Sequence, residues 1–214
     1  MLTLCLYPTD KSLDEITLNT FGEEDADHIL FMKYPSAINC SLAARKALLT
    51  LCEDRSLPPP TILRGELERP YFFGQPNSDI SLSHTEGLAL AALDLGDCPR
   101  VGVDIERHDP QRDVIKTANR FFPPEEAKLC SADRGEFFRL WTQKEAIAKY
   151  FGERLLTILP QNTERMAKER GLILTNLRLE YRSETYDVSI CHKAPFSPEM
   201  LLNGNEFSYE ILKK

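Results

Sequence analysis

Apolar and polar positions in the first half of the chain predict one long helix followed by short strands. A helix is expected over 36–54, where apolar residues recur at helical spacing, and the SLPPPT segment at 56–61 ends it. Alternating or apolar segments separated by turn residues predict the strands that follow. These strands are expected at 61–67, 79–84, 88–95 and 100–106, with a loop rich in aromatic residues over 68–79.

The strands at 79–84, 88–95 and 100–106 are separated by short turns, which favours an antiparallel meander. In a meander, the first and third strands run parallel to each other, so their carboxyl ends lie at the same edge of the sheet. His84 ends the first strand, and Asp104 and Glu106 end the third. We therefore expect these three side chains to lie close together.

The second half of the chain predicts helices and then strands. Helices are expected over 109–122, 124–130 and 135–152, with Gly152 suited to a helix C-terminal cap. Alternating segments at 172–181, 186–193 and 206–212 predict strands of a second sheet. The predicted class is α+β, with two sheets that each carry a packed helix.

Composition limits the classes of function. The 214 residues suffice for one large domain or two of about 100 residues each, and the net charge of −7 argues against a nucleic-acid partner. Six scattered cysteines, without a C-x-x-C pair, favour reduced thiols. With no apolar run near the ~20 residues of a membrane span and no features of a secretory signal, we expect a cytoplasmic protein without a membrane partner.

Two carboxylates in the segment RVGVDIERHD are candidates for metal chemistry. Asp104 and Glu106 share one face of the predicted strand with Gly102, and their Cα atoms lie about 7 Å apart. Carboxylates at this separation can share a small, hard cation, and the glycine leaves room for a group to approach the backbone. The alternative interpretation is a solvated strand face without a ligand.

The helix over 135–152 contains a lysine that its apolar pattern does not explain. Lys144 falls within the apolar stripe, where its ammonium needs an anionic partner or a route to solvent. Glu145 and Lys149 lie at the border of the stripe, and a surface pair at i,i+4 spacing would also explain these two. Functional use of this helix and a purely structural role both remain open at this point.

Four segments, taken in order, resemble the 4'-phosphopantetheinyl transferase superfamily in its larger, Sfp-like monomeric branch. They are ISLSHT, VGVDIE, RFFPPEE and FFRLWTQKEAIAKY, and the resemblance spans roughly residues 40–150. It implies two similar α+β halves, 1–98 and 99–214, in a pseudo-twofold arrangement with the active site between them. It also implies a monomeric enzyme.

The activity implied by the resemblance is transfer of 4'-phosphopantetheine from coenzyme A to a serine of an apo acyl or peptidyl carrier protein, with release of 3',5'-ADP. The implied metal is Mg²⁺, with Mn²⁺ as an alternative, and the family's metal carboxylates fall on Asp104, Glu106 and Glu145. The pyrophosphate contacts fall on His84 and Lys149. The other residues assigned to the coenzyme are Arg45, Arg69, Ser83 and Lys144. Either Glu145 or a metal-bound water is the candidate general base.

Two positions depart from the family pattern. Glu68 stands where the family usually has glycine, and Cys40 stands where it often has arginine. Both changes concern the coenzyme contacts and not the metal carboxylates.

Two other functions remain open from the sequence. The same acids could serve a Mg²⁺-dependent hydrolase of nucleotides or pyrophosphates, or the chain could be a non-catalytic module that binds the coenzyme or the carrier. Because carrier proteins are generally acidic, docking would require a local basic patch on this acidic chain. The candidate residues are Arg112, Lys116, Arg120 and Lys128, for which a solvated helix face is an equally good interpretation.

Overall fold

The structure is a computed structural model that describes residues 1–10, 18–193, 199–202 and 207–212. The chain divides into two compact units. The first contains Met1–Val101 together with strand β9 (Glu199–Leu202), and the second begins at Gly102 and includes strand β10 (Phe207–Ile211). The predicted boundary after residue 98 falls close to this division, although β9 was expected in the C-terminal half. The similarity of the two halves stays a prediction.

The described residues form seven α-helices and ten strands, so the α+β class is confirmed. The helices are α1 (Glu23–Leu30), α2 (Pro35–Asp54), α3 (Val114–Phe121), α4 (Pro124–Ala132), α5 (Arg134–Phe151), α6 (Leu155–Ile158) and α7 (Thr163–Arg170). The first eight strands are β1 (Leu2–Pro8), β2 (Thr61–Arg64), β3 (Pro70–Phe73), β4 (Ser78–His84), β5 (Leu88–Leu95), β6 (Gly102–Arg107), β7 (Ile173–Tyr181) and β8 (Glu184–His192). Among the described residues, no helix has the length and apolar character needed to cross a bilayer.

The main sheet of the first unit has the order β4-β5-β1-β9. Strand β1 lies inside this sheet, antiparallel to β5 and parallel to β9, and every one of its residues is buried. Helix α2, which was predicted over 36–54, packs on the sheet. Its alanine and leucine side chains contribute to one core with Cys5 and Tyr7. Both faces of β1 are buried, so its residues show no alternation of apolar and polar side chains.

The sheet of the second unit has the order β10-β7-β8-β6, and all its strand pairs are antiparallel. The predicted C-terminal strands are therefore confirmed, and β6 lies at an edge of this sheet. Helix α5 packs against β6 and β8 and ends at Gly152, whose φ of 71° confirms the predicted cap. The helix predicted over 109–122 begins only at Val114, where the Asp113 side chain caps it.

The predicted meander is wrong. Strand β5 is paired with β4 on one side and with β1 on the other, so it has no free edge for β6. Strand β6 pairs with β8 of the other sheet instead. His84 and the pair Asp104 and Glu106 therefore lie on strands of different sheets, and not at one edge of a single sheet as predicted.

The loop predicted over 68–79 is also wrong in part. Strand β3 pairs with β2 to form a hairpin, and the strand predicted over 61–67 ends at Arg64. The tight connection between them places Leu67 and Glu68 in the left-handed region, with φ of 56° and 63°. Left-handed backbone favours glycine, and neither of these residues is glycine. The sequence therefore did not predict the turn.

Candidate active site

A close contact between β6 and α5 determines where the predicted metal carboxylates lie. A Cβ atom on Gly102 would lie 2.1 Å from the Ala146 carbonyl oxygen and 2.6 Å from the Tyr150 nitrogen. The face of β6 that carries Gly102 therefore lies directly against the helix. Asp104 and Glu106 share this face because side chains alternate along a strand. The group that approaches the glycine backbone is thus the helix itself.

The facing part of α5 presents three half-buried side chains at intervals of four residues, namely Trp141, Glu145 and Lys149. Residues at this spacing lie on one side of a helix. The Lys149 ammonium donates a hydrogen bond of 2.7 Å to Asp104 Oδ1. Although burial acts to lower it, the carboxylates of Asp104 and Glu145 hold the pKa of Lys149 above its usual value. Lys149 is therefore charged at neutral pH and neutralises part of the acidic site.

Glu145 carries the most perturbed carboxylate of this group. Burial, followed by the negative charge of Asp104 and of Glu106, raises the pKa of Glu145 to about 7, although Lys149 and a hydrogen bond with Trp141 act in the opposite direction. The three predicted metal carboxylates are thus close enough to repel one another. A buried group of like charges favours the binding of a cation.

Glu106 has a partner that the sequence analysis did not identify. Arg112 Nη1 lies 2.5 Å from Glu106 Oε1, and the guanidinium carbon lies 4.6 Å from the centroid of the Trp141 ring and 4.9 Å from that of Phe137. Arg112 was predicted as part of a carrier-docking patch, but its charge is engaged by Glu106. Docking through Lys116, Arg120 and Lys128 stays a prediction.

The donor set can be tested against the Mg²⁺ ion that the resemblance implies. Carboxylate oxygens from facing strand and helix are the ligands that a hard cation prefers, and the raised pKa of Glu145 shows that their charges interact. However, in the part of the chain that the structure describes, no three His, Cys, Asp or Glu side chains converge as metal ligands. Asp104 and Glu106 instead bind Lys149 and Arg112. The residues fit a divalent cation chemically, and a bound cation would compete with Lys149 and Arg112 for the charge of these carboxylates.

Lys144 has a structural partner. Its side chain is fully buried and its ammonium lies 2.8 Å from Glu126 Oε2, while it also donates to the Gln161 carbonyl oxygen. Glu126 Oε1 accepts a hydrogen bond of 2.6 Å from the Thr163 backbone nitrogen. Burial lowers the pKa of Lys144, and Glu126 opposes that shift. The anionic partner expected for this lysine is therefore present on α4, while the predicted coenzyme contact stays a prediction.

The two arginines assigned to the coenzyme also bind carboxylates of the first unit. Arg45 is buried, and its guanidinium pairs with Asp25 and donates to the Ser41 hydroxyl at 2.6 Å. Arg69 donates two hydrogen bonds to Asp79, at 2.8 and 2.5 Å. Neither partner was predicted, because both are distant in sequence from the arginine that they bind. The roles of Arg45 and Arg69 in coenzyme binding stay predictions.

Ser83 and His84 lie at the end of β4, where Ser83 is buried and His84 is exposed. Cys40, on α2, donates a weak hydrogen bond of 3.8 Å to the carbonyl oxygen of Thr85, the next residue along the chain. Cys40 therefore lies beside this strand end. Burial raises the pKa of its thiol, so the side chain is neutral at pH 7.

A buried polar network between α5 and the second sheet was also missed. Thr142 Oγ1 lies 2.8 Å from Ser189 Oγ, which donates to Asn176 Oδ1 at 2.9 Å, and Gln143 Nε2 donates to the same oxygen at 3.0 Å. Satisfied buried networks of this kind fix the position of one element on another. This network holds α5 in the position that places Glu145 and Lys149 against β6. Its sequence signal was the pair of polar residues 142 and 143 on a helix with an apolar core face.

Comparisons with known proteins identify the family. A family model described as the 4'-phosphopantetheinyl transferase superfamily matches residues 100–191. The 4'-phosphopantetheinyl transferase AcpT of Salmonella typhi is 31% identical over 149 residues, which cover 67% of this chain and 73% of AcpT. The chain belongs to the 4'-phosphopantetheinyl transferase superfamily. The predicted resemblance and the predicted type of enzyme are thus confirmed.

Two further members of the superfamily match shorter regions. The 4'-phosphopantetheinyl transferase HetI of Nostoc sp. is 38% identical over 78 residues, which cover 34% of this chain and 32% of HetI. A putative 4'-phosphopantetheinyl transferase of Synechocystis sp., slr0495, is 29% identical over 99 residues, which cover 44% of this chain and 36% of the relative. The chain therefore spans about a third of the length of these two relatives.

The structure gives a physical reason for the glycine that the resemblance implies at position 68. Glu68, which stands where the resemblance implies glycine, has a left-handed backbone with φ of 63°. A residue with a side chain is strained in this region by roughly 1–2 kcal/mol, whereas glycine is not. The hairpin thus keeps the backbone shape that glycine would adopt freely.

Proposed function

We propose that the protein transfers the 4'-phosphopantetheine group of coenzyme A to a serine of an apo acyl or peptidyl carrier protein and releases 3',5'-ADP. The observation that supports this most directly is the group formed by Asp104, Glu106, Glu145 and Lys149 between β6 and α5. It combines oxygen donors for a divalent cation with a charged lysine for a phosphate. This chemistry matches the family to which the chain belongs.

The residues that would hold Mg²⁺, or Mn²⁺, are Asp104, Glu106 and Glu145. When bound there, the ion supplies positive charge that offsets the charge of the coenzyme pyrophosphate. Lys149 neutralises a further part of that charge, since its ammonium is held at this site by Asp104. Positioning and charge stabilisation account for most of the catalysis in phosphoryl transfer, and these four residues are proposed to contribute to both.

The carrier serine must lose a proton when its oxygen attacks the β-phosphorus of coenzyme A. We propose a Glu145 carboxylate oxygen as the acceptor of this proton, because Glu145 belongs to the acidic group that would hold the cation. A water molecule at the site is the alternative acceptor. The bond from phosphorus to the bridging oxygen of 3',5'-ADP breaks as the serine ester forms.

The other coenzyme contacts are proposed on the basis of the resemblance. His84 is suited to a phosphate because its ring is exposed at the end of β4, and Ser83 precedes it. Arg69 is proposed for the 3'-phosphate, and Arg45 and Lys144 for further coenzyme contacts. Each of the latter three is paired with a carboxylate, so any contact with the coenzyme competes with that pair.

We also infer a cytoplasmic location and a monomeric state, without a membrane or nucleic-acid partner. The six cysteines are unpaired thiols, which suits a reducing compartment. The net charge of −7 disfavours binding to nucleic acid.

Mass spectrometry of carrier proteins tests the proposed reaction. The purified protein is incubated with coenzyme A, Mg²⁺ and a panel of apo carriers, and at least one carrier should gain the mass of one phosphopantetheine group. Asp104→Ala should abolish this gain, whereas Asp97→Ala, at an exposed acid of the first unit, should retain it. Release of nucleotide without any modified carrier would instead favour the hydrolase, and binding without turnover would favour the non-catalytic module.

A further inference from the structure

Arg112 contacts two aromatic rings in addition to Glu106. The guanidinium pairs with the Glu106 carboxylate and lies over the rings of Phe137 and Trp141 on α5. A guanidinium is weakly hydrated and stacks well on aromatic rings. The arginine can therefore stay on these two rings when its carboxylate partner leaves.

The backbone around Arg112 is fixed as well. Arg134, at the start of α5, donates hydrogen bonds to the carbonyl oxygens of Asp109 and Arg112 at 2.7 and 2.6 Å. The Asp109 side chain accepts from the Gln111 nitrogen, and Asp113 caps α3. The segment between β6 and α3 thus presents Arg112 to Glu106 from a defined backbone position.

The arginine and a divalent cation require the same carboxylate. In the described structure, the carboxylates of Asp104 and Glu106 bind Lys149 and Arg112, respectively, and no trio of acids converges. A cation that takes Glu106 as a ligand competes for the charge of a carboxylate whose Oε1 atom already accepts a hydrogen bond of 2.5 Å from Arg112. It also meets the positive charge of a guanidinium that stays on the aromatic rings.

We propose that Arg112 is a built-in competitor for Glu106 that weakens the binding of divalent cations to the protein alone. This inference rests on the proposed function, because it takes Glu106 as a metal ligand. As a consequence, binding of the cation depends on binding of the coenzyme. The phosphates of coenzyme A add the negative charge that compensates for Arg112, so the cation binds well only together with the coenzyme. Arg112 is thus a positioning residue that couples the two binding steps.

Trp141 reports on this competition. It is the single tryptophan of the chain, it contacts Arg112 through its ring, and its side chain hydrogen-bonds to Glu145. Displacement of Glu106 from Arg112 and recruitment of Glu145 both change its surroundings. The addition of Mg²⁺, which does not quench fluorescence, should therefore change the emission of the wild-type protein.

The test is a titration of the protein with Mn²⁺ alone, followed by electron paramagnetic resonance, without coenzyme or carrier. Arg112→Gln should bind Mn²⁺ about tenfold more tightly than the wild type, as expected for removal of one nearby positive charge. Arg112→Lys, which keeps the charge, should bind much more like the wild type. Arg120→Gln is the matched control, because Arg120 also lies over an aromatic ring, 4.9 Å from the centroid of Phe121, on the exposed side of α3.

Equal or weaker Mn²⁺ binding by Arg112→Gln overturns the inference, as does the absence of Mn²⁺ binding to both proteins. If Arg112→Gln fails to fold, Arg112→Met takes its place, because methionine can keep an apolar contact with the two aromatic rings but carries no charge. It should also bind Mn²⁺ about tenfold more tightly than the wild type, and equal affinities overturn the inference. The result is distinct from a failure of the proposed function. A carrier that gains phosphopantetheine while Mn²⁺ binding is unaffected by Arg112 refutes only the role of this arginine.

Discussion

Lys149 and Asp104 are 45 positions apart in the sequence and are joined by a hydrogen bond of 2.7 Å between their side chains. The bond connects an edge strand to the last turns of the long helix. It brings the DIE motif and the WTQKEAIAK motif, which the sequence showed separately, into one site. The contact also means that Asp104 helps to hold the pKa of Lys149 above its usual value, although burial acts to lower it.

Lys149→Met should weaken the handling of coenzyme A. The variant loses a charge-assisted contact to phosphate and leaves Asp104 without its cation, so we expect KM for coenzyme A to rise about 10- to 100-fold. Steady-state kinetics with one modified carrier measures this, and KM for the carrier should change much less. Lys168→Met, at an exposed position of α7, serves as the control. An unchanged KM for coenzyme A would remove Lys149 from phosphate binding.

Glu145 should titrate near pH 7 in the metal-free protein. Its pKa is about 7 when folded, against an ordinary value of 4.5, so the folded state binds the proton more tightly than the unfolded chain. Its contribution to stability is therefore fully present below about pH 4.5 and is lost as the pH rises through about 7. Trp141 fluorescence in the presence of a chelator should follow this proton, with a midpoint near 7. Glu145→Gln should remove the transition, and a transition that persists in this variant would show that another group is responsible.

The extent to which the sequence predicted the fold depended on the kind of contact. Helix α5 was predicted almost to its last residue, because apolar spacing and the glycine cap are local signals. Strand β6 was predicted as well, but its sheet was not, because pairing depends on which edges other strands leave free. Strand β1, whose pairing with β5 removes that edge, has no alternation to reveal it.

In the candidate site, too, local features were predicted from the sequence and long-range contacts were not. The acids at 104, 106 and 145 were found from strand alternation and from the resemblance. Of the two cationic side chains that bind these acids, only one was assigned to the site from the sequence. Lys149 was identified within its motif, whereas Arg112 was expected on a docking patch, since nothing in its segment indicates that two aromatic rings of α5 hold it. Such contacts depend on the tertiary packing of the segment before α3 against α5, which the local sequence does not indicate.

Gly102→Ala should disrupt the site without removing any charged group. The added methyl would overlap the Ala146 carbonyl oxygen, a backbone atom that cannot move without shifting α5. We expect a loss of about 3 kcal/mol in the free energy of unfolding, at the upper end of the range for overpacking, and a strong fall in carrier modification. Gly96→Ala is the matched control, because its added Cβ would lie 3.9 Å from its nearest neighbour. Urea denaturation and the mass-shift assay measure the two effects, and equal stability of the two variants would contradict the close packing of β6 on α5.

Lys144→Met tests whether the buried lysine serves the fold or the coenzyme. Removal of the ammonium leaves the Glu126 carboxylate buried without its cation, and we expect a loss of about 3–5 kcal/mol in the free energy of unfolding by urea. The double variant Lys144→Met with Glu126→Gln should recover most of this loss, because no charge then stays buried alone and the side-chain oxygen of the introduced glutamine can still accept from the Thr163 nitrogen. If the lysine is only structural, the double variant should also keep the wild-type KM for coenzyme A. A stable double variant with a KM raised at least about tenfold would instead restore Lys144 as a coenzyme contact.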